Sequence, residues 1–134
     1  MFLKYNWKAI LWALFILFLC GLPGGDVPHF DLMDILSLDK LGHAAIFLVL
    51  VRIGASGLSK QYDAQGKRSN AVLHVLFFAL AYGALTEWMQ GAVFVDRSAD
   101  IFDMLANWAG SLIGMYLYKL SIRRRSDRKI ASNT

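Results

Sequence analysis

Charge is scarce in this 134-residue chain. Only 18% of its residues are Asp, Glu, Lys or Arg, where a soluble domain carries about 25%. Apolar residues make up 57%, and the mean hydropathy is +0.45. That balance excludes a disordered chain and a nucleic-acid-binding tail. The single cysteine, Cys20, excludes an intramolecular disulfide framework and any cysteine-based zinc site. Two prolines and no internal repeat exclude collagen-like, Pro-rich and solenoid classes. The length allows one domain. What remains is a small membrane protein that crosses the bilayer several times.

Four apolar runs approach the roughly 20 helical residues needed to cross a ~30 Å hydrocarbon core. They cover about 5–22, 38–53, 71–89 and 104–120. None alternates as a membrane β-strand would. The expected fold is therefore an all-α membrane protein, a bundle of four transmembrane helices spanning 1–122, followed by a basic tail at 123–134. Lys4 and Lys8 before the first run resemble a signal peptide, but no small-x-small cleavage site follows. Cys20 follows the bulky Leu19, unlike a lipobox cysteine. A retained helix carrying a buried thiol is the better reading.

Charge sets the expected orientation. Every basic residue except Lys40 and Arg97 lies at Lys4–Lys8, from Arg52 at the edge of the second run to Arg68, or from Lys119 onward. The positive-inside rule then places both termini in the cytoplasm. Pro23–Leu36 and Gly91–Ser98 are expected outside, and Gly54–Asn70 is expected to be a flexible inner loop. Most acidic residues fall at the opposite, outward end. The basic tail reads as a stop-transfer and anionic-lipid anchor, and nucleic acid is not an expected partner.

Three of the four runs carry polar groups at that outward end. Lys40 and His43 are three residues apart, share a helix face, and are continued by Phe47. Glu87 and Gln90 are likewise three apart. The steps 100, 103, 107, 110 and 114 draw one stripe of Asp100, Asp103, Asn107, Gly110 and Gly114. Ionisable residues near the hydrocarbon need pairing, water or hydrogen bonds, and they mark candidate sites. The plainer reading is a structural clamp, with Asp100 or Asp103 capping the fourth helix. Gly110 and Gly114, with Ala106, form a small-residue packing face, as do Ala79 and Gly83. Trp7, Trp12, Trp88, Trp108, Tyr5 and Tyr118 read as an aromatic belt. His74, far from the polar end, reads as structural or interfacial.

DKLGH at Asp39–His43, EWMQ at Glu87–Gln90 and RSADIFDMLANWAGSLIG at Arg97–Gly114 resemble the VanZ-like family of small bacterial membrane proteins. The likeness covers the last three runs in order. It implies a multi-pass protein of the bacterial plasma (inner) membrane with its charged site facing the outside or periplasm. It also brings a link to resistance against teicoplanin-type glycopeptide antibiotics, without a settled mechanism. Carried over residue by residue, it marks Asp39, Lys40, His43, Glu87, Gln90, Arg97, Asp100, Asp103 and Asn107, the residues that the topology argument collects.

Three functions fit. A binding or remodelling protein would recognise a lipid headgroup, a lipid-linked envelope intermediate or a glycopeptide, with Lys40 and Arg97 holding phosphate or carboxylate. The carboxylates would accept from hydroxyls and amines, and Gln90 and Asn107 would supply amides. An enzyme would use His43 and Glu87 as an acid/base pair. A small structural subunit would use the charged end for assembly, with the glycine faces serving a helix-mediated oligomer. His43, Glu87, Asp100 and Asp103 could hold a divalent ion, but they lack diagnostic ligand spacing such as HExxH. No metal and no cofactor is expected.

Overall fold

The structure, a computed structural model, describes residues 1–22, 32–67, 70–94 and 98–132. These form four α-helices: α1 (Phe2–Cys20), α2 (Leu32–Ala64), α3 (Ala71–Ala92) and α4 (Ile101–Ala131). Every regular element among the described residues is a helix, as the apolar runs predict. Three stretches, Phe2–Cys20, Asp39–Ala64 and Ala71–Ala92, are long and apolar enough to cross a membrane. α4 is not among them, because its first turns carry Asp103 and Asn107 and its last third is basic.

Helix ends follow local chemistry. Asp100 caps α4, its carboxylate accepting from the Phe102 amide at 2.8 Å. Asp103 adds negative charge in the first turn, where the helix dipole is positive. The far end of α2 is closed by Gly66 at φ 65°. Its amide donates to Asp63 O at 3.1 Å, and the Lys67 amide donates to Tyr62 O at 3.0 Å. This is the glycine-terminated stop that satisfies the last helical carbonyls.

Several expected boundaries shift. α2 begins six residues before the expected second span and runs eleven beyond it, so Gly54–Ala64 is helix and not loop. The reason is packing. A Cβ on Gly54 would lie 2.9 Å from Val75 Cγ1, and one on Gly57 would lie 2.8 Å from Asn6 Oδ1. The small residues that suggested a flexible connection instead let α3 and α1 close onto α2, and tertiary contact overrides weak helix propensity. The basic residues after Arg123 are also helical, because α4 continues to Ala131. Of the expected outer loops, 23–31 and 95–97 lie outside the described residues, while Leu32–Leu36, Gly91 and Ala92 are helical.

α2 packs on all three other helices. It runs antiparallel to α1 and α3 and parallel to α4, so the start of α1 and the end of α4 share one end of the bundle. The α2–α4 contact is the closest. A Cβ on Gly110 would collide with the Ala44 carbonyl, and one on Gly114 would fall 2.6 Å from Leu48 O. The small-residue stripe therefore packs as predicted, against α2 of the same chain.

The core is small: Ile16, Cys20, Phe47, Leu50, Val51 and Ala79. Large apolar residues point outward instead, with Phe77 77% and Phe18 62% exposed. Trp7 and Trp88 are exposed, in keeping with a belt. Trp12 and Trp108 are partly buried and turn toward neighbouring helices. Trp12 Nε1 donates to Ile46 O at 2.9 Å and Trp108 Nε1 to Leu80 O at 3.0 Å. Each ties two helices through a carbonyl that already closes a helical turn.

Candidate functional site

At the end of the bundle formed by the start of α4 and the last turns of α3, the polar side chains expected from α2, α3 and α4 converge. Lys40 sits between two carboxylates, with its Nζ 3.1 Å from Asp100 Oδ2 and 3.0 Å from Asp103 Oδ1. Asp100 is the cap of α4, so one carboxylate both starts that helix and ties it to α2. Its carboxyl is held below the usual aspartate range, first by the Phe102 amide and then by Lys40. Cap and ion pair both favour the charged form.

One turn deeper, His43 Nδ1 lies 3.1 Å from Asn107 Oδ1. Asn107 is fully buried, and Gly83 of α3 leaves room for it: a Cβ there would lie 3.1 Å from Asn107 Cβ. With the imidazole Nδ1–H donating to this oxygen, Nε2 faces Asp39 Oδ1 at 3.8 Å and Asp103 Oδ2 at 3.9 Å. Asn107 Nδ2 has no acceptor among the described residues. A buried donor left unpaired costs about 1–3 kcal/mol, so this amide is poised for an acceptor that the described protein groups do not supply.

Glu87 is 4% exposed and stands behind His43, its Oε1 3.8 Å from Nδ1. That separation is longer than a hydrogen bond, so the expected acid/base pair is adjacent but not bonded; Asn107 holds the shared nitrogen. Glu87 Oε2 accepts from the Asp100 amide at 3.3 Å, which links α3 to the cap of α4. The Gln90 amide lies between Glu87 and the Cys20 carbonyl of α1. Turned with nitrogen toward the carboxylate, it donates to Oε1 at 3.1 Å and Oε2 at 3.3 Å. Thr86 and Ser111 bond back to Gly83 O and Asn107 O within their own helices, so they bring buried hydroxyls without a helix-to-helix bond.

Eight of the nine expected residues are thus brought together: Asp39, Lys40, His43, Glu87, Gln90, Asp100, Asp103 and Asn107. The ninth, Arg97, lies outside the described residues. A cleft of about 210 Å³ reaches the cluster between α1 and α2, and Asp39, Gly42, His43 and Gln90 line it. His43 and Asp39 face the opening, with Glu87 and Asn107 behind them. Asp39, His43 and Asp103 present ligand-type atoms within 4.8 Å of one another. They could hold a cation, but Lys40 already supplies positive charge to Asp103.

The sequence reading missed a second polar pair at the opposite end of the bundle. Asn6 Nδ2 donates to Gln61 Oε1 at 2.8 Å, both residues being buried. The signal was an amide inside an otherwise apolar first run, and its partner was hidden in a stretch read as loop. Tyr82 was named only as a neighbour of Glu87. Its hydroxyl donates across to Ala13 O at 2.7 Å and ties α3 to α1. His74 lies near Tyr62, 3.1 Å from its hydroxyl and far from the cluster, as expected.

The fold and the cluster define a class: a small helical protein of the membrane type, with a buried polar network closing one end. The family model for VanZ/LLP1 matches residues 2–122, and the chain belongs to that family. The likeness carried by its three polar motifs is thereby borne out. No curated protein and no solved structure matches the chain.

Proposed function

We propose that the protein is a four-span bundle in the bacterial plasma membrane. Both termini are cytoplasmic and the acidic cluster forms an outward-facing mouth that binds or remodels an amphiphilic envelope ligand. α4 fits a fourth span: Asn107, Gly110, Ser111 and Gly114 are buried along one stripe, while Leu105, Leu112, Ile113 and Tyr116 are exposed on the others. The distribution of basic residues supports the orientation.

The observation that carries the ligand reading is the buried Asn107 amide with an unfilled donor, set behind His43, which lines an open cleft. A clamp alone gains nothing from an orphan donor. Four carboxylates surround a single described lysine, so the mouth suits a headgroup rich in hydroxyls and amines. Asn107 would donate to one of its oxygens, and Arg97 is placed by sequence to take phosphate or carboxylate. Lipid-linked envelope intermediates and teicoplanin-type glycopeptides both have this chemistry.

Glu87→Gln and Arg97→Gln keep shape and remove charge. Membrane abundance and melting temperature are measured beside growth on a teicoplanin-type antibiotic and under envelope stress. Normal abundance with a lost phenotype is expected. Collapsed abundance would assign the cluster to a structural clamp. Unchanged stability and unchanged phenotypes would remove these residues from the site.

A further inference from the structure

A second cavity, of about 410 Å³, opens between α1 and α2 near the opposite end of the bundle. Its walls carry four cations, Lys4, Lys8, Arg52 and Lys60, together with Trp7 and Ser56. Lys4 Nζ lies 5.7 Å from the Tyr5 ring centre and Lys8 Nζ 5.6 Å from that of Trp7, so both ammonium groups are laid against aromatic faces. No carboxylate among the described residues lies within 4.0 Å of any of the four cations.

Depth makes this arrangement unusual. In α2 the run free of charge other than Arg52 is Leu41–Ser59, and Arg52 stands inside it, about 12 Å of helix short of Lys60. A guanidinium so placed demands a counter-charge or a route to the interface. The positive-inside rule accounts for basic residues beside the membrane. It does not account for one inside an apolar run, or for four cations lining one cleft without a carboxylate.

We propose that this cleft seats the phosphate of an anionic membrane phospholipid, with Arg52 as its bidentate partner and Lys4, Lys8 and Lys60 around it. Arginine matches the geometry of a phosphate with two parallel hydrogen bonds. Basic pockets between membrane helices on the cytoplasmic side take such headgroups. A lipid is favoured over free phosphate by the rest of the seam. Gly42 and Ile46 line the acidic-end cleft, and Ile53, Ser56 and Lys60 line this one. Steps of four, seven, three and four residues put them on one flank of α2. A headgroup held by Arg52 therefore has an apolar track beside it for its acyl chains. The proposal requires α1 and α2 to lie in a membrane and does not depend on the ligand assigned to the acidic mouth.

The test uses the full chain purified in neutral detergent. Phosphatidylglycerol, phosphatidylcholine or inorganic phosphate is added, and thermal stability and lipid retention by native mass spectrometry are read. Phosphatidylglycerol should raise the melting temperature and stay bound, and the other two should not. Each basic residue near an anionic surface is worth about fivefold in affinity, so Arg52→Gln should weaken retention at least that much. Ser56→Leu keeps every charge and fills the cleft, and it should weaken retention as well. Replacing Arg123, Arg124 and Arg125 together by Gln removes more charge from the tail and should leave retention unchanged. Equal loss in tail and cleft variants, an equal shift with inorganic phosphate, or no phosphatidylglycerol effect on the parent chain would each overturn the proposal.

Discussion

The two ends of this bundle treat charge in opposite ways. At the acidic end, Lys40 is matched to Asp100 and Asp103, Asn107 to His43, and the Asp100 amide to Glu87, across three helices. At the basic end, one buried amide pair, Asn6 with Gln61, holds α1 to α2. The cations around it have no carboxylate partner among the described residues. The first arrangement is closed on itself except for one amide nitrogen. The second asks for negative charge from outside the chain. Polar residues at membrane depth can therefore be neutralised internally or left to recruit a counter-charge, and burial with partners separates the two cases where composition alone does not.

The sharpest way to break the comparison lies between the ends, where α2 and α4 touch. Gly110 and Gly114 let the backbones meet, and every cross-helix distance in the acidic cluster depends on that approach. Gly110→Leu should abolish the folded state or lower the melting temperature drastically, because the intruding atoms meet backbone and not a movable side chain. Gly42 has open space around its Cβ position. Gly42→Ala should be neutral or slightly stabilising, since alanine is the better helix former by about 1 kcal/mol. Equal tolerance at Gly110 and Gly42 would mean that α4 does not pack on α2 through this stripe.

The next test treats the two ends alike. Asn107→Ala strands His43 Nδ1, and Asn6→Ala strands Gln61 Oε1. Each should cost about 1–3 kcal/mol, the penalty for leaving a buried polar group unpaired. Only Asn107→Ala should also erase an envelope phenotype at matched abundance. Loss of phenotype from both would show that it reports stability and not the acidic mouth.

A smaller effect is expected from the tryptophans. Trp12→Phe and Trp108→Phe keep most of the ring volume and remove one interhelical donor each. Hydrogen bonds between membrane helices average about 0.6 kcal/mol, so each should lower the melting temperature slightly in detergent. No change in either would return them to the role of belt residues.

The smallest effect concerns acid. The Asp100 carboxyl is held low in the fold by the Phe102 amide and Lys40. Its contribution is therefore complete above the ordinary aspartate range, and is lost as pH falls through the lowered folded value. Asp100→Asn retains a capping oxygen but loses the ion pair with Lys40. Melting temperature against pH from 7 down to 3 should fall less steeply for Asp100→Asn than for the parent chain. Parallel curves would mean that Lys40 gains nothing from Asp100.

Much of this was legible in the sequence. The stripe at 100, 103, 107, 110 and 114 depends on helical periodicity alone, and it packs as that periodicity requires. The residues of the acidic cluster could be gathered because charge at the edge of an apolar run is rare. The basic end was harder to read. Gly54, Ser56 and Gly57 carry the composition of a loop, and only the nearness of Val75 and Asn6 shows that they are contact residues within a helix. Arg52 looked like the edge of a loop for the same reason: extending α2 to Ala64 places it inside a helix, with apolar residues on both sides. Trp12 and Trp108 could not be told from belt residues, because their role depends on which carbonyl a neighbouring helix presents. Gln61 was hidden because its partner is 55 residues away.

The contrast between the ends has meaning for an envelope protein only if they face opposite sides of the membrane. In a Cys20→Ser background, Ser98→Cys places a thiol beside the acidic cluster and Asp63→Cys places one at the basic end. Intact cells are treated with a membrane-impermeant maleimide, and the same reaction is repeated after permeabilisation. Labelling of Ser98→Cys in intact cells, with Asp63→Cys reacting only after permeabilisation, is the predicted result. The reverse pattern would turn the bundle over and put the acidic mouth in the cytoplasm, contradicting the proposed role at the outer face.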